Sequence, residues 1–335
     1  MKPNIAFFDA KSYDEASFNE HNKSFGFDIS YHGIQLNKDT AILATGADVV
    51  CAFVNADIDA EVIDKLAAGG IKLIALRCAG FNNVDLKAAA KNNIKVVRVP
   101  AYSPYAVAEH TLALMLTLNR KTHKAYSRTR EGNFALHGLL GFDMNEKTAG
   151  IIGTGKIAKI LIKTLRALGM NVLAYDIYPD EKFAEEVGMR YTSLDEIYRE
   201  SDIISLHAPL TKETMYLIDT DTISKMKDGV MIINTGRGKL IHTKALIDGL
   251  KSKKIGAAGL DVYEEEEEYF FEDYSDLVLD DDTLARLLSF NNVLVTSHQA
   301  FFTKEALSNI AQTTLQNVQD FIDGKALLNE VTTKS

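Results

Sequence analysis

The sequence has only two cysteines, Cys51 and Cys78, too few to build a disulfide framework. Its first residues lack the charged and then apolar layout of a secretory signal. Its most apolar helical run, Leu112–Leu118, is far shorter than the roughly 20 residues that a membrane-spanning helix needs. These absences predict a cytoplasmic protein with no membrane partner.

The chain also lacks an excess of basic residues. It carries 37 Lys and Arg against 46 Asp and Glu, a formal net charge of -9. Phosphate binding draws its affinity from clustered Lys and Arg, so a nucleic-acid partner is not expected. The basic stretch Arg120–Arg130 has helical spacing and is flanked by Glu109 and Glu131. We interpret it as a solvated helix face.

No group of His, Cys, Asp and Glu has the spacing of metal ligands, so no metal site is predicted. Short internal repeats and low-complexity tracts are also missing. What is present is ordinary globular composition, with 46% hydrophobic and 25% charged residues over 335 positions. That length exceeds the size at which one core usually stops growing, so two domains are expected.

Short β-rich runs alternate with helical patterns along the chain, which is typical of βαβ units and parallel sheets. In the first third, the predicted strands are Ile5–Phe8, Val49–Val54, Leu73–Leu76 and Val96–Val99. The predicted helices between them are Ser12–Asn22, Ala60–Ala68 and Val84–Lys91. This region is expected to form one α/β unit.

A second series of six strands is predicted, and six parallel strands with intervening helices match the doubly wound dinucleotide-binding fold. These strands are Thr148–Ile152, Val172–Tyr175, Ile203–His207, Val230–Asn234, Ala257–Leu260 and Val293–Thr296. The fold class is therefore α/β. We expect two Rossmann-like or flavodoxin-like parallel-sheet domains with an active-site cleft between them.

Two long amphipathic segments connect these domains. Residues 106 to about 129 follow Pro104 without internal Pro or Gly and are predicted to form one crossover helix. Lys304–Phe321 is predicted to be a second helix, and we expect it to return to the first domain because no core remains beside it. The predicted boundaries are 1–102 with 300–335 for a substrate domain, and 103–299 for a cofactor domain.

A strand, a glycine turn and a helix follow one another over Thr148–Ala158, with the pattern G-x-G-x-x-A. Gly153 permits a tight turn, Gly155 lets the backbone approach a pyrophosphate, and Ala158 allows close packing of helix on strand. The helix amino terminus then offers N–H groups to phosphate. This pattern predicts a dinucleotide site.

The next strand ends in Asp176, 23 residues after Gly153. An acid there can accept the ribose hydroxyls of NAD and repels the additional phosphate of NADP. No Lys or Arg occurs in the following Ile177–Pro179. NAD is therefore the predicted cofactor. The alternative is a glycine turn in a nucleotide-free domain, with Asp176 as an ordinary loop residue.

Three polar clusters follow the later strands, over Asn234–Gly238, Asp261–Glu266 and Thr296–Phe301. The carboxyl ends of parallel strands face the ligand, so these clusters are expected to meet there. They contain an arginine, a glutamate and a histidine. Hydride transfer to a 2-keto acid needs a cation for the carboxylate and an acid to protonate the new alkoxide, and a carboxylate favours a protonated histidine.

Arg237, Glu266 and His298 are the candidate catalytic residues. Other interpretations stay open, since the arginine could cap a helix or pair with an acid, and the histidine could be structural. The glutamate lies in the acidic run 264–268, so Glu265 and Glu267 are alternatives. Two further histidines are alternatives for the acid/base role. His110 lies in the crossover helix beside Glu109, and His207 ends a strand and is expected to line the dinucleotide site.

Across nearly its whole length the chain resembles the D-isomer-specific 2-hydroxyacid dehydrogenase family. Four motifs carry the resemblance: the G-x-G-x-x-A turn, Asn-Thr-Gly-Arg-Gly, Asp-Val-Tyr with its later Glu, and Ser-His-Gln-Ala-Phe. Ala158 in place of a third glycine and Gln299 after the histidine are mild departures.

The resemblance implies that Arg237 binds substrate, that His298 is the acid/base supported by Glu266, and that Asp261 binds the nicotinamide carboxamide. It also implies an extended set of residues that contact the dinucleotide. That set is Gly153, Gly155, Lys156, Ile157, Asp176, Ala208, Pro209, Thr214, Thr235, Arg237, Asp261 and His298.

Within the family, Ala75–Asp85 and Val97–Pro104 are similar to segments of bacterial fermentative D-lactate dehydrogenases, as is the run 270–273. The similarity implies that the substrates are pyruvate and D-lactate. It also implies a substrate site made by Cys78, Ala79 and Gly80 as a backbone cradle for the carboxylate, with Tyr102 over the pocket and Phe301 beside the methyl group.

Larger 2-keto acids and 3-phosphoglycerate are rival substrates. The latter is disfavoured because only Arg77 and Arg98 lie near the cradle to bind a phosphate. An NAD-sensing protein similar to transcriptional co-repressors is a rival of another class, although no added interaction module is visible. Members of the family pair through the crossover region, which implies a homodimer or a larger homo-oligomer.

Overall fold

The structure is a computed structural model that describes residues 3–266, 269–271 and 273–333. The chain divides into two units. One comprises Met1–Ser103 and Phe302–Ser335, and the other comprises Pro104–Phe301. Each unit contains one sheet, and all strand pairs within both sheets are parallel.

The described residues form strands that are short and mostly buried. They are β1 (Asn4–Phe8), β2 (Asp28–His32), β3 (Val49–Ala52), β4 (Leu73–Leu76), β5 (Lys95–Val97), β6 (Thr148–Ile152), β7 (Asn171–Tyr175), β8 (Arg190–Tyr191), β9 (Ile203–Leu206), β10 (Val230–Asn234), β11 (Ile255–Leu260) and β12 (Val293–Val295).

Helices occur between most of these strands. They are α1 (Ser12–Asn22), α2 (Ala60–Ala68), α3 (Leu86–Lys91), α4 (Pro104–Arg120), α5 (Thr122–Arg130), α6 (Lys156–Ala167), α7 (Glu181–Val187), α8 (Leu194–Glu200), α9 (Thr220–Lys225), α10 (Thr243–Lys251), α11 (Asp282–Leu288) and α12 (Lys304–Ile322).

The first unit is a five-stranded sheet in the order β2-β1-β3-β4-β5. Strands β3 and β4 are buried throughout, which explains their continuous apolar sequences, because parallel strands covered on both faces do not alternate. The edge strand β2 was not predicted. Its sequence, DISYH, is polar and partly exposed, so it lacks the apolar signal of its neighbours.

The carboxyl-terminal helix α12 belongs to the first unit. It packs on α1, and the Ser17 hydroxyl donates a hydrogen bond of 3.0 Å to the Leu307 carbonyl. A buried face that includes Ile310, Leu315 and Val318 covers the sheet from this side. Helix α12 therefore contributes to the same core as the first strands and helices of the chain.

The second unit has seven strands in the order β12-β11-β10-β9-β6-β7-β8. This is the doubly wound arrangement, with its topological switch between β6 and β9, where ligands bind at the carboxyl ends. The predicted count of six strands was wrong by one, because β8 contains two residues and carries no periodic signal. The prediction of two parallel-sheet α/β domains is confirmed.

The prediction of one continuous crossover helix over residues 106–129 was also wrong. The segment forms α4 and α5, separated by Lys121, whose φ of 50° lies in the left-handed region and interrupts the helix. Helix α4 is buried at Leu114, Met115 and Leu118. Every residue of the basic helix α5 is at least partly exposed, in keeping with a solvated face.

Candidate active site

The glycine turn joins β6 to α6. Gly153 has a φ of 91°, and a Cβ atom built on it would lie 2.7 Å from backbone atoms of His207 and Ala208. Only glycine fits both constraints. At Gly155, by contrast, no heavy atom among the described residues lies within 4 Å of such a Cβ. This open space beside the amino terminus of α6 at Lys156 is what a pyrophosphate requires.

The helix after the turn packs tightly on the sheet. Ala158, Leu161, Ile162 and Leu165 are buried at helical spacing, so one face of α6 covers the sheet. Ala158 is fully buried, as close packing of helix on strand requires. The small third residue of the pattern therefore serves packing, as the sequence indicated.

Asp176 follows β7 with its carboxylate held in one orientation. One oxygen, Oδ2, accepts hydrogen bonds from the Thr154 N–H at 2.6 Å and the Thr154 hydroxyl at 2.9 Å. The other, Oδ1, accepts from the Tyr178 N–H at 2.9 Å. Partial burial raises the pKa of Asp176, but the donated hydrogen bonds outweigh this effect and hold the pKa below its usual value. The carboxylate is thus ionised at neutral pH, as a ribose acceptor should be.

The remaining predicted dinucleotide contacts lie after β9 and β10, the strands beyond the switch point. Ala208 and Pro209 follow β9, and the Thr214 hydroxyl donates to the Pro209 carbonyl at 2.6 Å. Thr235 follows β10, and its hydroxyl lies 2.9 Å from that of Thr111 on α4. These positions share the carboxyl edge of the sheet with the glycine turn. Together these groups fit a bound NAD.

His207 also lies at this edge. Burial lowers the pKa of His207 to about 4, so the ring is neutral near pH 7. Its Nε2 atom lies 2.9 Å from the Ser205 hydroxyl. A neutral ring engaged by a neighbouring serine is not suited to supply a proton at neutral pH.

Arg237 lies in the turn after β10. The buried Asn234 side chain supports this turn, because its amide donates to the Arg237 carbonyl at 2.9 Å and its oxygen accepts from the Gly236 N–H at 3.1 Å. The Arg237 guanidinium donates to the Gly236 carbonyl at 2.7 Å. It forms no ion pair with the acids that the structure describes.

Gly238 fixes this turn against the segment that follows β11. A Cβ on Gly238 would overlap the Tyr263 carbonyl and the Glu264 nitrogen, so only glycine allows the two backbones to approach. Glu264 in turn accepts hydrogen bonds from the Tyr216 hydroxyl at 2.5 Å and the Thr243 hydroxyl at 2.7 Å. This acid serves the amino terminus of α10 and is not directed at the histidine.

His298 and Glu266 are in direct contact. The distance from Nδ1 of His298 to Oε1 of Glu266 is 2.7 Å, and the Tyr263 N–H donates to Oε2 of Glu266 at 2.8 Å. Both side chains are mostly buried, with 17% and 15% exposure. Glu265 is exposed, and Glu267 lies outside the described residues.

Asp261 lies beneath the histidine loop and is fully buried. Its carboxylate accepts hydrogen bonds from the Thr296 hydroxyl and from the N–H groups of Gln299 and Ala300. Phe301, at the end of this loop, is also buried. Two contacts stay predictions: that of Asp261 with a nicotinamide carboxamide, and that of Phe301 with a substrate methyl group.

In the first unit, the predicted cradle is a turn after β4. Its three carbonyls accept hydrogen bonds: Cys78 from the Val99 N–H at 3.1 Å, Ala79 from Arg98 at 2.8 Å, and Gly80 from the Cys78 thiol at 3.3 Å. The N–H groups of Ala79 and Gly80 donate to no acceptor among the described residues. The turn therefore presents donors, as an anion requires.

Neither arginine near this turn is available for a second anion. Arg77 is 2% exposed, donates to the Asp9 carbonyl at 2.5 Å and lies 3.4 Å from the Asp14 carboxylate. Arg98 donates to Ala79 and lies over the ring of Phe81. The Tyr102 carbonyl accepts a hydrogen bond of 2.7 Å from the Asn309 side chain.

Within the described ranges, no three His, Cys, Asp or Glu side chains are grouped so that they could hold a metal ion. In the same ranges, no helix combines the length and apolar character needed to cross a membrane.

Sequence reasoning assigned no supporting role to three polar residues of the site. Thr154 orients Asp176, and Thr296 and His110 contact Asp261 at 2.5 Å and 3.3 Å. Thr154 lies inside the glycine pattern at a position where the pattern allows any residue. His110 was set aside as a competing histidine, because no local pattern links it to a residue beyond position 260.

Comparison with known proteins agrees with this architecture. The sequence model for the NAD binding domain of the D-isomer specific 2-hydroxyacid dehydrogenases matches residues 112–300, more than half of the chain. A 2-hydroxyacid dehydrogenase homolog of Haemophilus influenzae is 53% identical over 327 residues, 98% of both chains. The D-lactate dehydrogenase of Escherichia coli is 50% identical over 327 residues, 98% of this chain and 99% of that one.

A solved structure described as the pyruvate reductase of Chlamydomonas reinhardtii superimposes with a TM-score of 0.93 at 45% identity and covers 98% of both chains. The doubly wound sheet and its glycine turn define a dinucleotide-binding protein, and its relatives make it an NAD-dependent oxidoreductase. The chain belongs to the D-isomer specific 2-hydroxyacid dehydrogenase family. The family resemblance and the choice of NAD as cofactor are thereby confirmed.

Proposed function

We propose that this protein catalyses the reversible reduction of pyruvate to D-lactate with NADH. The observation that carries the proposal is the buried contact between His298 and Glu266, in a unit where the guanidinium of Arg237 forms no ion pair with the described acids. A D-lactate dehydrogenase and a pyruvate reductase among the similar proteins support the choice of substrate.

His298 is the proposed proton donor in pyruvate reduction. With Nδ1 directed at Glu266, the ring has Nε2 left to exchange a proton with the substrate. Nε2 of the imidazolium gives its proton to the carbonyl oxygen, and neutral imidazole takes the proton back in lactate oxidation. Glu266 keeps the ring oriented and stabilises its positive charge.

Arg237 is the proposed substrate ligand. Its planar guanidinium can donate two hydrogen bonds to the carboxylate and the carbonyl oxygen of a 2-keto acid. The fixed turn around Asn234 and Gly238 supplies the rigidity that such a contact needs. As negative charge develops on the carbonyl oxygen, this contact strengthens, so it contributes to rate as well as binding.

NADH, when bound, supplies the hydride that reduces the carbonyl carbon. Gly155, Lys156 and Ile157 would face its pyrophosphate, and Asp176 its ribose hydroxyls. Ala208, Pro209, Thr214 and Thr235 would continue the binding surface along the carboxyl edge of the sheet. The roles of these residues are our proposals.

The cradle of Cys78, Ala79 and Gly80 supports a small carboxylate substrate. Two N–H donors without acceptors among the described residues suit one carboxylate, while Arg77 and Arg98 are both engaged by protein groups. A phosphate-bearing acid would lack a cation there. This argues against 3-phosphoglycerate and leaves larger 2-keto acids as the rival substrates.

A panel of 2-keto acids tests the proposal. NADH and NADPH oxidation would be followed with pyruvate, branched and aromatic 2-keto acids and 3-phosphohydroxypyruvate, and the product configuration would be determined by chiral analysis. We expect the highest kcat/KM with pyruvate and NADH, D-lactate as product, and a kcat near the common enzyme value of about 10 s⁻¹.

Each alternative gives its own result in this panel. A larger 2-keto acid with the highest kcat/KM would change the substrate but keep the reaction. L-lactate as product would overturn the proposal. NADH binding with turnover thousands of times slower than that typical rate would favour an NAD-sensing protein instead.

We further propose that the protein forms a homodimer in the cytoplasm. The segment after α5 exposes large apolar side chains that usually need cover, among them Phe134 at 76%, Leu136 at 82% and Leu140 at 88%. Two buried free cysteines are compatible with a reducing compartment. Light scattering should give twice the 37.0 kDa chain mass.

A charge substitution tests this interface. Leu140→Glu should shift the protein toward the monomer, whereas Leu328→Glu, at an equally exposed leucine of the other unit, should leave the mass unchanged. A monomeric wild type, or a Leu140→Glu variant of unchanged mass, would place the contact elsewhere or remove it.

A further inference from the structure

The carboxylate of Asp261 is a buried charge at the base of the histidine loop. Its exposed fraction is 0%. A buried charge is costly unless hydrogen bonds satisfy it. Oδ1 accepts from the Thr296 hydroxyl at 2.5 Å and from the Gln299 N–H at 2.9 Å, and Oδ2 accepts from the Ala300 N–H at 2.8 Å. These three donors flank His298 on both sides in sequence.

A second histidine completes this network. Nε2 of His110, on α4, lies 3.1 Å from the Thr296 hydroxyl oxygen and 3.3 Å from Oδ1 of Asp261. The single hydroxyl proton of Thr296 is directed at Asp261, so the Thr296 oxygen can only accept from His110. Nε2 of His110 must therefore carry a proton, and the hydrogen bonds run from His110 through Thr296 to Asp261.

The loop that this network holds has an uncommon backbone. His298 has a φ of 50°, in the left-handed region, which a side chain other than glycine adopts only when its surroundings impose it. Its N–H donates to the Asp261 carbonyl at 2.7 Å and to the Thr296 carbonyl at 3.1 Å. The ring reaches Glu266 from this conformation.

We propose that His110 and Thr296 are positioning residues that hold the His298 loop in its reactive conformation through the carboxylate of Asp261. The inference rests on the proposed function, in which His298 exchanges the proton. Neither residue needs to touch the substrate. Their hydrogen bonds orient the carboxylate of Asp261. That carboxylate also accepts hydrogen bonds from the N–H groups of Gln299 and Ala300, the two residues that follow His298.

The network joins a helix to the ends of two neighbouring strands. Thr296 and Asp261 follow neighbouring strands, β12 and β11, whereas His110 comes from a helix 186 residues before Thr296 in the chain. A hydrogen bond from α4 therefore ties the loop to an element outside the sheet. Loss of this tie should loosen the loop while the sheet itself stays intact.

Isosteric variants of Thr296 provide the main test. Thr296→Val keeps the shape but removes the hydroxyl, and Thr296→Ser keeps the hydroxyl. Hydrogen bonds to charged groups are worth enough to change a rate tenfold or more. We expect Thr296→Val to lower kcat for pyruvate reduction by about tenfold or more, with little change in the NADH dissociation constant, and Thr296→Ser to restore most of the rate.

His110 offers a parallel pair of variants. His110→Gln keeps a donor N–H near the position of Nε2 and should retain most of kcat, whereas His110→Leu should lose it as Thr296→Val does. The double variant His110→Leu with Thr296→Val should lose little more than the worse single variant, because both remove the same chain of hydrogen bonds. The variants His110→Gln and His110→Leu therefore test the positioning role even if one Thr296 variant folds poorly.

Two control variants are measured beside the Thr296 and His110 variants. Thr314 is a buried threonine of the first unit whose hydroxyl has no partner among the described residues, so Thr314→Val should leave kcat unchanged. His298→Gln tests the acid/base itself. If His298→Gln keeps its kcat, the proposed function fails, and the positioning role of His110 and Thr296 fails with it.

Other outcomes overturn the positioning role alone. One is a Thr296→Val variant with wild-type kcat while His298→Gln has lost activity. Another is a Thr296→Ser variant as slow as Thr296→Val, which would point to packing. A third is unchanged kcat with weakened NADH binding, which would assign the network to the cofactor.

Discussion

Nδ1 of His298 lies 2.7 Å from a carboxylate oxygen of Glu266, a residue 32 positions earlier in the chain. The second oxygen of Glu266 is held by the Tyr263 N–H, so the carboxylate cannot rotate freely. The pair therefore has one defined geometry, which a positioned acid/base requires.

His298→Gln should lower kcat for pyruvate reduction by roughly 10² to 10⁴, the usual range for loss of general acid catalysis, while NADH binding stays near normal. Stopped-flow reduction and NADH fluorescence would measure the two quantities. Glu266 is the residue that contacts His298, and its exposed neighbour Glu265 is the matched control. Glu265→Gln should behave as wild type. A Glu265→Gln variant that loses activity would transfer the role to that residue.

Glu266→Gln keeps the size of the side chain but removes the carboxylate that holds the His298 ring. It should lower kcat for pyruvate reduction and for D-lactate oxidation, because the same ring gives and takes the proton in the two directions. Steady-state rates in both directions check this, and wild-type kcat in both would exclude Glu266 from the mechanism.

Arg237→Lys should raise KM for pyruvate and lower kcat, because lysine keeps the charge but loses the planar pair of donors. One hydrogen bond to a charged group is worth about 1.5 to 3 kcal/mol, so a loss of about 10- to 100-fold or more in kcat/KM is expected. The NADH dissociation constant should change little. Lys239→Ala, at an exposed cation two residues away, is the control. Wild-type kcat/KM in Arg237→Lys would make this arginine structural.

Wild-type enzyme should prefer NADH to NADPH by at least about tenfold in kcat/KM, which requires only about 1.4 kcal/mol. The ionised Asp176 carboxylate, oriented by Thr154, repels a 2′-phosphate. Asp176→Asn should reduce this preference, and Thr154→Val should weaken NADH binding by loss of the orienting hydroxyl. Equal use of both cofactors by the wild type would contradict the role of Asp176.

His207 should make the protein less stable at acid pH. Its pKa in the folded chain is about 4, against an ordinary value of 6.5, because burial disfavours the charged ring. Between these values the unfolded chain takes up a proton that the folded chain does not. The free energy of unfolding should therefore decrease as pH falls from 6.5 toward 4.

Urea denaturation followed by circular dichroism at several pH values measures this slope. His207→Gln should flatten it, whereas His137→Gln, at an exposed histidine, should not. An identical slope in wild type and His207→Gln would show that other groups determine the acid limb.

Much of the fold was readable from local patterns. Helices Ser12–Asn22 and Ala60–Ala68 and strands such as Val230–Asn234 were predicted at their observed limits. Two short or polar strands, β2 and β8, were missed, and the break at Lys121 was not foreseen, because an edge position or one left-handed residue leaves no periodic trace.

The sequence by itself determined the glycine turn, the acid after β7 and the motif residues Arg237 and His298, since each depends on a few neighbouring residues whose backbone or chemical requirements are local. Only the tertiary structure decided which glutamate of the acidic run contacts His298, and that Arg77 is engaged by Asp9 and Asp14. It alone brought His110 against Thr296 and Asp261. These contacts join residues far apart in the chain, and their distances are set by how strands and helices pack, which no local pattern encodes.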